Sequence, residues 1–338
     1  MAGDMDFNAL LWHELEKNDL VIGPAEYKVA MRKIMGWGVI ERENIIKIGG
    51  IQTWKNVLNQ LSGISHENDC IRVLGFGRAL TEYLVAPLNI PSNLKEQIVT
   101  VGVISNLYGS IYDHLIDAGL NNKLVLPRWA LHSIVYEKRG LRLTVLRKIG
   151  PSTLRFIQTL VEHNIQILTE LPYYKKHSEI TESIKELYLQ LYDAEIETIQ
   201  KTRSHISEDT LKNKTILFYL IGGLYTWLCI PQIHQDRFEW HIKWVRQFGE
   251  FIAWMDDAVD LAEDISTGQP NLLLFPENTV GVNEQKDRAM VQMIAEKGKQ
   301  MITEWQLNTK DYRELPLVIR KAPQICTVSW FRGLTDQK

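Results

Sequence analysis

Apolar residues recur at spacings of three and four along almost the whole chain, and no alternating run of strand type interrupts them. The pattern predicts roughly ten helices joined by short loops, and with no internal repeat or linker we expect one all-α domain over residues 1–338. Starts are marked at Ser92-Asn93, at Pro151-Ser152-Thr153 and at Ser207-Glu208-Asp209, where small polar residues precede apolar segments. Stops fall at Gly119 with Asn121-Asn122, at Gly150, Pro172 and Pro231, and at Gly268 with Pro270. The stretch from Ser266 to about Glu284, rich in Gly, Pro and Asn, is expected to be the least ordered. The longest apolar run, Ile216 to Ile230, has 15 residues. A spanning helix wants about 20, so this run reads as a buried core helix rather than a membrane segment.

Composition narrows the classes. A chain of 338 residues, 45% hydrophobic, can bury a large core, and a net charge of −3 without a polybasic block gives no footprint for nucleic acid. Three scattered cysteines, Cys70, Cys229 and Cys326, suit a reduced compartment better than a disulfide framework. The N-terminal MAGDMDFNALLWHELEK is acidic and amphipathic and lacks the order of a secretory signal, so a cytoplasmic protein is expected.

The chemistry concentrates in two acidic stretches. Between Asp256 and Asp264 five carboxylates fall within nine positions, directly after the apolar Phe251-Ile-Ala-Trp-Met255. On a helix, Asp256, Asp260 and Asp264 share a stripe, with Asp257 and Glu263 to its sides. A charge run is usually a solvated face, but the apolar approach here weakens that reading. Like charges near a core call for compensation, and an all-oxygen set without Cys suits Mg²⁺. The second stretch, GSIYDHLIDAG, puts Asp113 and Asp117 four apart on another helix, with His114 between them. Two such stripes facing across a cavity would hold Mg²⁺ ions around a diphosphate.

These pieces resemble a family. IYDHLID (Ile111–Asp117) and WMDDAVD (Trp254–Asp260) are similar to the two aspartate-rich motifs of the trans-polyprenyl diphosphate synthases. Between them, KNKTILF (Lys212–Phe218) resembles the Lys-Thr helix start that grips the allylic diphosphate there, with Lys214 lying 42 positions before Asp256. The resemblance covers about Ser92 to Pro270. It implies an isoprenoid synthase-type helical bundle around a deep apolar pocket, and long helices through which two copies pair. It also implies Asp113, Asp117, Asp256, Asp257 and Asp260 as Mg²⁺ ligands. Lys214, Thr215 and Lys123 would hold the diphosphate, and Lys212 is expected to face away. Tyr108, five positions before Asp113, would limit the length of the isoprenoid tail.

Departures from the family pattern shape the functional expectation. His114 stands where the family has a second aspartate, Asn122-Lys123 replaces its paired arginines, and Gln269 replaces a lysine. The Gly-Gly-Lys-x-x-Arg-Pro segment that binds isopentenyl diphosphate is not found; the early pair Gly49-Gly50 runs into Ile51-Gln52-Thr53-Trp54. The expectation is a class I terpene synthase that ionises an isoprenyl diphosphate and cyclises or rearranges the cation. A prenyltransferase using another acceptor is the alternative. A non-catalytic helical partner would be expected to have lost the carboxylates that this chain keeps.

Two diphosphates held side by side repel strongly and need dedicated cations. Without that segment, isopentenyl diphosphate added to an allylic diphosphate should give no chain-extended product. Radiolabelled isopentenyl diphosphate recovered in a longer alcohol, at rates comparable to allylic consumption, would overturn this.

Overall fold

The computed structural model describes residues 7–60, 67–117, 152–200, 206–275, 278, 280 and 283–335, with backbone alone for 57–60, 112–117, 152–155, 199–200 and 332–335. Among the described residues the architecture is all-α, with no strand. The helices are α1 (Phe7–Lys17), α2 (Pro24–Gly49), α3 (Ile51–Gln60), α4 (Glu67–Val85), α5 (Ser92–Asp117), α6 (Ser152–Glu170), α7 (Ser178–Gln200), α8 (Glu208–Trp227), α9 (Gln235–Thr267), α10 (Glu284–Asn308), α11 (Leu317–Arg320) and α12 (Ala322–Thr335). Short 3₁₀ turns follow α9 at Leu272–Leu274 and α10 at Tyr312–Glu314. No described helix is long and apolar enough to cross a membrane.

The marked starts behave as capping chemistry predicts. Ser207 accepts the Thr210 amide on its Oγ at 3.0 Å and so begins α8. At the other end, the apolar run to Ile230 is buried for most of its length, yet α8 stops at Trp227. Leu228, Cys229 and Ile230 turn back onto Tyr225, Thr226 and Trp227 through three-residue hydrogen bonds at 3.2 Å, because Pro231 cannot extend the helix.

The contacts divide the chain into two compact units. One comprises residues 29–189 and 224–233, the greater part of α2 to α7. Its helices approach closely through small residues. A Cβ on Gly38 of α2 would lie 1.9 Å from the Ile71 carbonyl oxygen of α4, and one on Gly75 of α4 would lie 2.2 Å from that of Ile34. Each helix therefore sets its backbone into a gap left by the other's missing side chain. An ion-pair cluster fastens the same helices: Arg78 of α4 reaches Glu41 of α2 at 2.7 Å, Glu82 at 3.0 Å and Glu96 of α5 at 2.9 Å. Burial opposes the Arg78 charge, but the three carboxylates more than offset that and raise its pKa.

The other unit comprises residues 1–28, 190–223 and 234–338. Its axis is α9, whose 33 residues span about 50 Å. Trp244, Val245, Phe248, Phe251, Ile252 and Met255 of α9 are all buried. Gly249 admits α8 so closely that a Cβ there would meet the Ile216 Cα at 2.9 Å. Tyr219 of α8 packs edge-on against Phe248, with ring centroids 4.8 Å apart. On the α10 side, the indole N–H of Trp244 donates to the Met301 carbonyl at 3.0 Å. Deep apolar anchors of this kind contribute about 1.5–3 kcal/mol each, and they fix how the carboxylates of α9 stand relative to α8.

Two glycines two positions apart, on opposite sides of α2, test the close crossing. Gly38→Ala should destabilise by about 1–3 kcal/mol, the usual range for overpacking. Gly36→Ala, exposed and with nothing within 4 Å of its added carbon, should stabilise by about 0.5–1 kcal/mol through helix propensity. Urea titrations of the two variants should therefore shift in opposite directions.

Candidate active site

The second acidic stretch forms the last part of α9, and its five carboxylates have different fates. Asp260 and Glu263 are exposed, whereas Asp256, Asp257 and Asp264 are half-buried. α9 ends at Gly268 in the left-handed conformation (φ 74°), whose amide donates to the Asp264 carbonyl, and Gln269 donates to the same oxygen at 3.0 Å. The chain then folds back along the helix. The Asp257 carboxylate accepts the Leu272 amide at 2.5 Å. Asn271, fully buried, donates to the Asp257 carbonyl at 2.6 Å and the Asp264 carboxylate at 2.8 Å, while its own Oδ1 accepts the Leu273 amide at 2.9 Å. Asn278 closes the turn by donating to the Leu272 carbonyl at 3.0 Å.

Two expectations change here. The stretch from Ser266 to about Glu284 was expected to be the least ordered; residues 276, 277, 279, 281 and 282 lie outside the described residues, but in its first part Asn271, Leu272 and Leu273 lie within 1% of complete burial. The Gly, Pro and Asn that read as a loop are also the residues that cap helices, and the Leu run supplies apolar anchorage. The stripe divides differently as well. Asp264 works with Asp257, seven positions away, to hold Asn271, so Asp257 carries a structural bond alongside any role in metal binding.

Lys214 is brought to these carboxylates. Burial raises the Asp257 carboxyl well above its ordinary pKa. The Leu272 amide and the Lys214 charge oppose that rise, and Asp256 and Asp264 reinforce it. Asp264 is also raised, again chiefly by burial, with Asn271 and Lys214 acting against the shift and Glu263 adding to it. Lys214 and Thr215 lie in the second and third turns of α8 rather than at its start, and they share one electrostatic environment with the acidic end of α9, although Lys214 and Asp256 are 42 positions apart. Thr215, next along α8, is half-buried.

Lys212 corrects an expectation. Instead of facing away, its ammonium lies 5.1 Å over the ring of Trp254 on α9 and pairs with Glu208 one turn back. A two-residue offset rotates the side chain by about 200°, but the long stem of lysine still reaches the neighbouring helix.

The other predicted residues belong to α5 and beyond. Asp113 and Asp117 occupy the last turns of α5, and their side chains lie outside the described residues, as Lys123 does altogether. Tyr108, on the same helix, is not a plain apolar wall. Its hydroxyl meets Tyr188 at 3.0 Å and Ser105 at 3.3 Å, and Tyr188 in turn bonds Tyr225. Asn164, fully buried, donates to Ser105 at 2.9 Å and to the Val101 carbonyl at 3.1 Å. Burial raises the pKa of all three tyrosines, so at neutral pH they stay protonated and serve as hydrogen-bond donors rather than bases.

Mg²⁺ fits the residues present at the end of α9. The donors are all hard oxygens, and Asp256 and Asp264 lie close enough to Asp257 to add to the rise that burial causes in its carboxyl. Among the described residues, no group of three or more His, Cys, Asp or Glu is arranged to enclose an ion.

No protein-family model matches this chain, and no curated protein does. A solved geranylgeranyl pyrophosphate synthetase from Pyrococcus horikoshii is similar over 86% of this chain and 98% of its own, at 14% identity and a TM-score of 0.40. At that distance the chemistry rests on the residues themselves.

Sequence reasoning passed over Asn271 and the Lys212–Trp254 contact. The first had a signal, since an Asn directly before an apolar run is a capping residue. Asn271→Ala should cost about 2–4 kcal/mol, because it strips three buried hydrogen bonds, one of them to a charged group. Chemical denaturation of the variant against the parent chain checks this.

Proposed function

We propose that this protein is a Mg²⁺-dependent enzyme of the class I terpene synthase type, which ionises an isoprenyl diphosphate and lets the allylic cation cyclise or rearrange. The observation that carries the reading is that the Lys214 charge acts on both Asp257 and Asp264. It joins two motifs that resemble diphosphate-binding elements in one electrostatic site. Asp113, Asp117, Asp256 and Asp260 would hold the metal, with the unused oxygen of Asp257 beside them. Bound there, Mg²⁺ supplies positive charge to the departing diphosphate. Lys214 donates directly to the same leaving group, Lys123 adds a second cation, and the Thr215 hydroxyl, next to Lys214 on α8, is a further donor. Charge placed in advance on a leaving group is the kind of stabilisation that lowers an ionisation barrier most.

A second reading has its own support. The Tyr108–Tyr188–Tyr225 chain sets hydroxyl donors on and beside the helix that bears Asp113 and Asp117. Such donors suit the polar group of an acceptor, and the enzyme would then be a prenyltransferase. Incubation of the pure protein with C10, C15, C20 and C25 diphosphates and Mg²⁺, with no acceptor, separates the two. Hydrocarbon or alcohol products support the first reading; turnover only on adding an amine or aromatic acceptor supports the second.

Asp256→Ala should abolish turnover with the helical circular dichroism spectrum unchanged. Lys214→Ala should lower kcat by roughly 10²–10³, the scale of one preplaced donor. Lys286→Ala, on the exposed start of α10, should change neither. Full activity in Asp256→Ala, or in excess EDTA, would overturn the metal-assisted mechanism.

A further inference from the structure

Two cations of α8 meet α9 rather than one. Lys212 and Lys214 lie two residues apart, about 3 Å along the helix axis. Trp254, under the Lys212 ammonium, and Asp257, on whose carboxyl the Lys214 charge acts, are three apart and so share a face of α9. Both cations of α8 therefore act on the end of α9.

The surroundings of Lys212 are poised for an anion. Its partner Glu208 is a shared carboxylate that also accepts from Asn278 at 3.3 Å. The pair is partly open to water, with side-chain exposures of 19% for Lys212 and 27% for Glu208. Beneath it, Trp254 is 2% exposed, and its buried indole N–H finds no hydrogen-bond acceptor. A cation and an unsatisfied donor thus belong to the same pair of side chains.

We propose, on the reading of the site given above, that Lys212 is a second cation for the substrate diphosphate, masked by Glu208 in the free protein and transferred to the diphosphate on binding. The exchange is favourable in sign. A part-exposed ion pair contributes little, whereas charge-assisted bonds to a multiply charged diphosphate are among the strong ones. The face of Trp254 holds the ammonium in place in both states. A monophosphate carries less charge and gains less from opening the pair, so the arrangement favours diphosphate over monophosphate.

Calorimetric titration of the full chain with inorganic diphosphate and Mg²⁺ tests this. Lys212→Met should weaken binding roughly tenfold, the scale of one hydrogen bond to a charged group, and Lys212→Arg should restore most of it. Glu208→Gln should tighten binding by about two- to fivefold through unmasking, and should have no such effect in a Lys212→Met background. A purely structural pair would instead leave diphosphate affinity unchanged in both single variants, or weaken it in both, and either result overturns the proposal. Should Lys212→Met fail to fold, the sign of the Glu208→Gln change decides alone. Absence of diphosphate binding by the parent chain would overturn the functional reading itself, a distinct outcome.

Discussion

Negative charge held next to a hydrophobic core is the constraint around which the end of α9 is organised. Met255 and Ala258 are fully buried, and the carboxylates interleaved with them cannot all reach water. Desolvation raises the energy of an ionised carboxyl, and the fold counters it in three ways. The Leu272 amide binds Asp257, Asn271 binds Asp264, and the Lys214 ammonium acts on both. Burial still outweighs these terms, since both carboxyls remain raised. The end of α9 therefore carries a standing electrostatic cost, chiefly of desolvation, that its hydrogen bonds and Lys214 reduce without removing.

Holding that imbalance requires rigid neighbours. Gly249 lets α8 come close enough for Lys214 to act on α9, and the rings of Trp244, Phe248 and Phe251 fix the helix beneath the carboxylates. In the other unit the reciprocal glycine contacts of α2 and α4 and the Arg78 cluster immobilise α4 against α5, the helix that carries Asp113 and Asp117. The two units solve the problem differently. One relies on aromatic bulk along a long axis, the other on backbone proximity reinforced by paired charges.

Much of this was legible in the sequence, for identifiable reasons. Helix starts at Ser92, Ser152 and Glu208 followed from local capping chemistry, and the all-α class followed from a periodicity that continues almost unbroken. Lys214 could be matched to the acidic stretch because its motif has a recognisable order. The turn after α9 was misjudged because Gly, Pro and Asn carry two meanings, and only tertiary contact shows that Asn271 is buried. Lys212 was misplaced because a helical wheel gives the direction of Cβ, not the reach of four methylenes. The hydroxyl partners of Tyr108 come from α7 and the end of α8, and no local pattern encodes such a meeting.

That hydroxyl chain bears on whether the proposed ionisation is compatible with the polar groups around Tyr108. A carbocation is quenched by any oxygen with a free lone pair and a path to lose its proton. Tyr188 lies between Tyr108 and Tyr225, so both neighbours constrain its oxygen, and Tyr108 is further tied to Ser105. Burial holds all three as neutral phenols, which removes the strongly nucleophilic phenolate. A neutral phenol whose oxygen is already bonded is a poor nucleophile, while an aromatic face attracts positive charge. A cluster that reads as polar in composition can therefore behave toward a carbocation as an aromatic wall. The hydrogen bonds that satisfy the hydroxyls are what make it one.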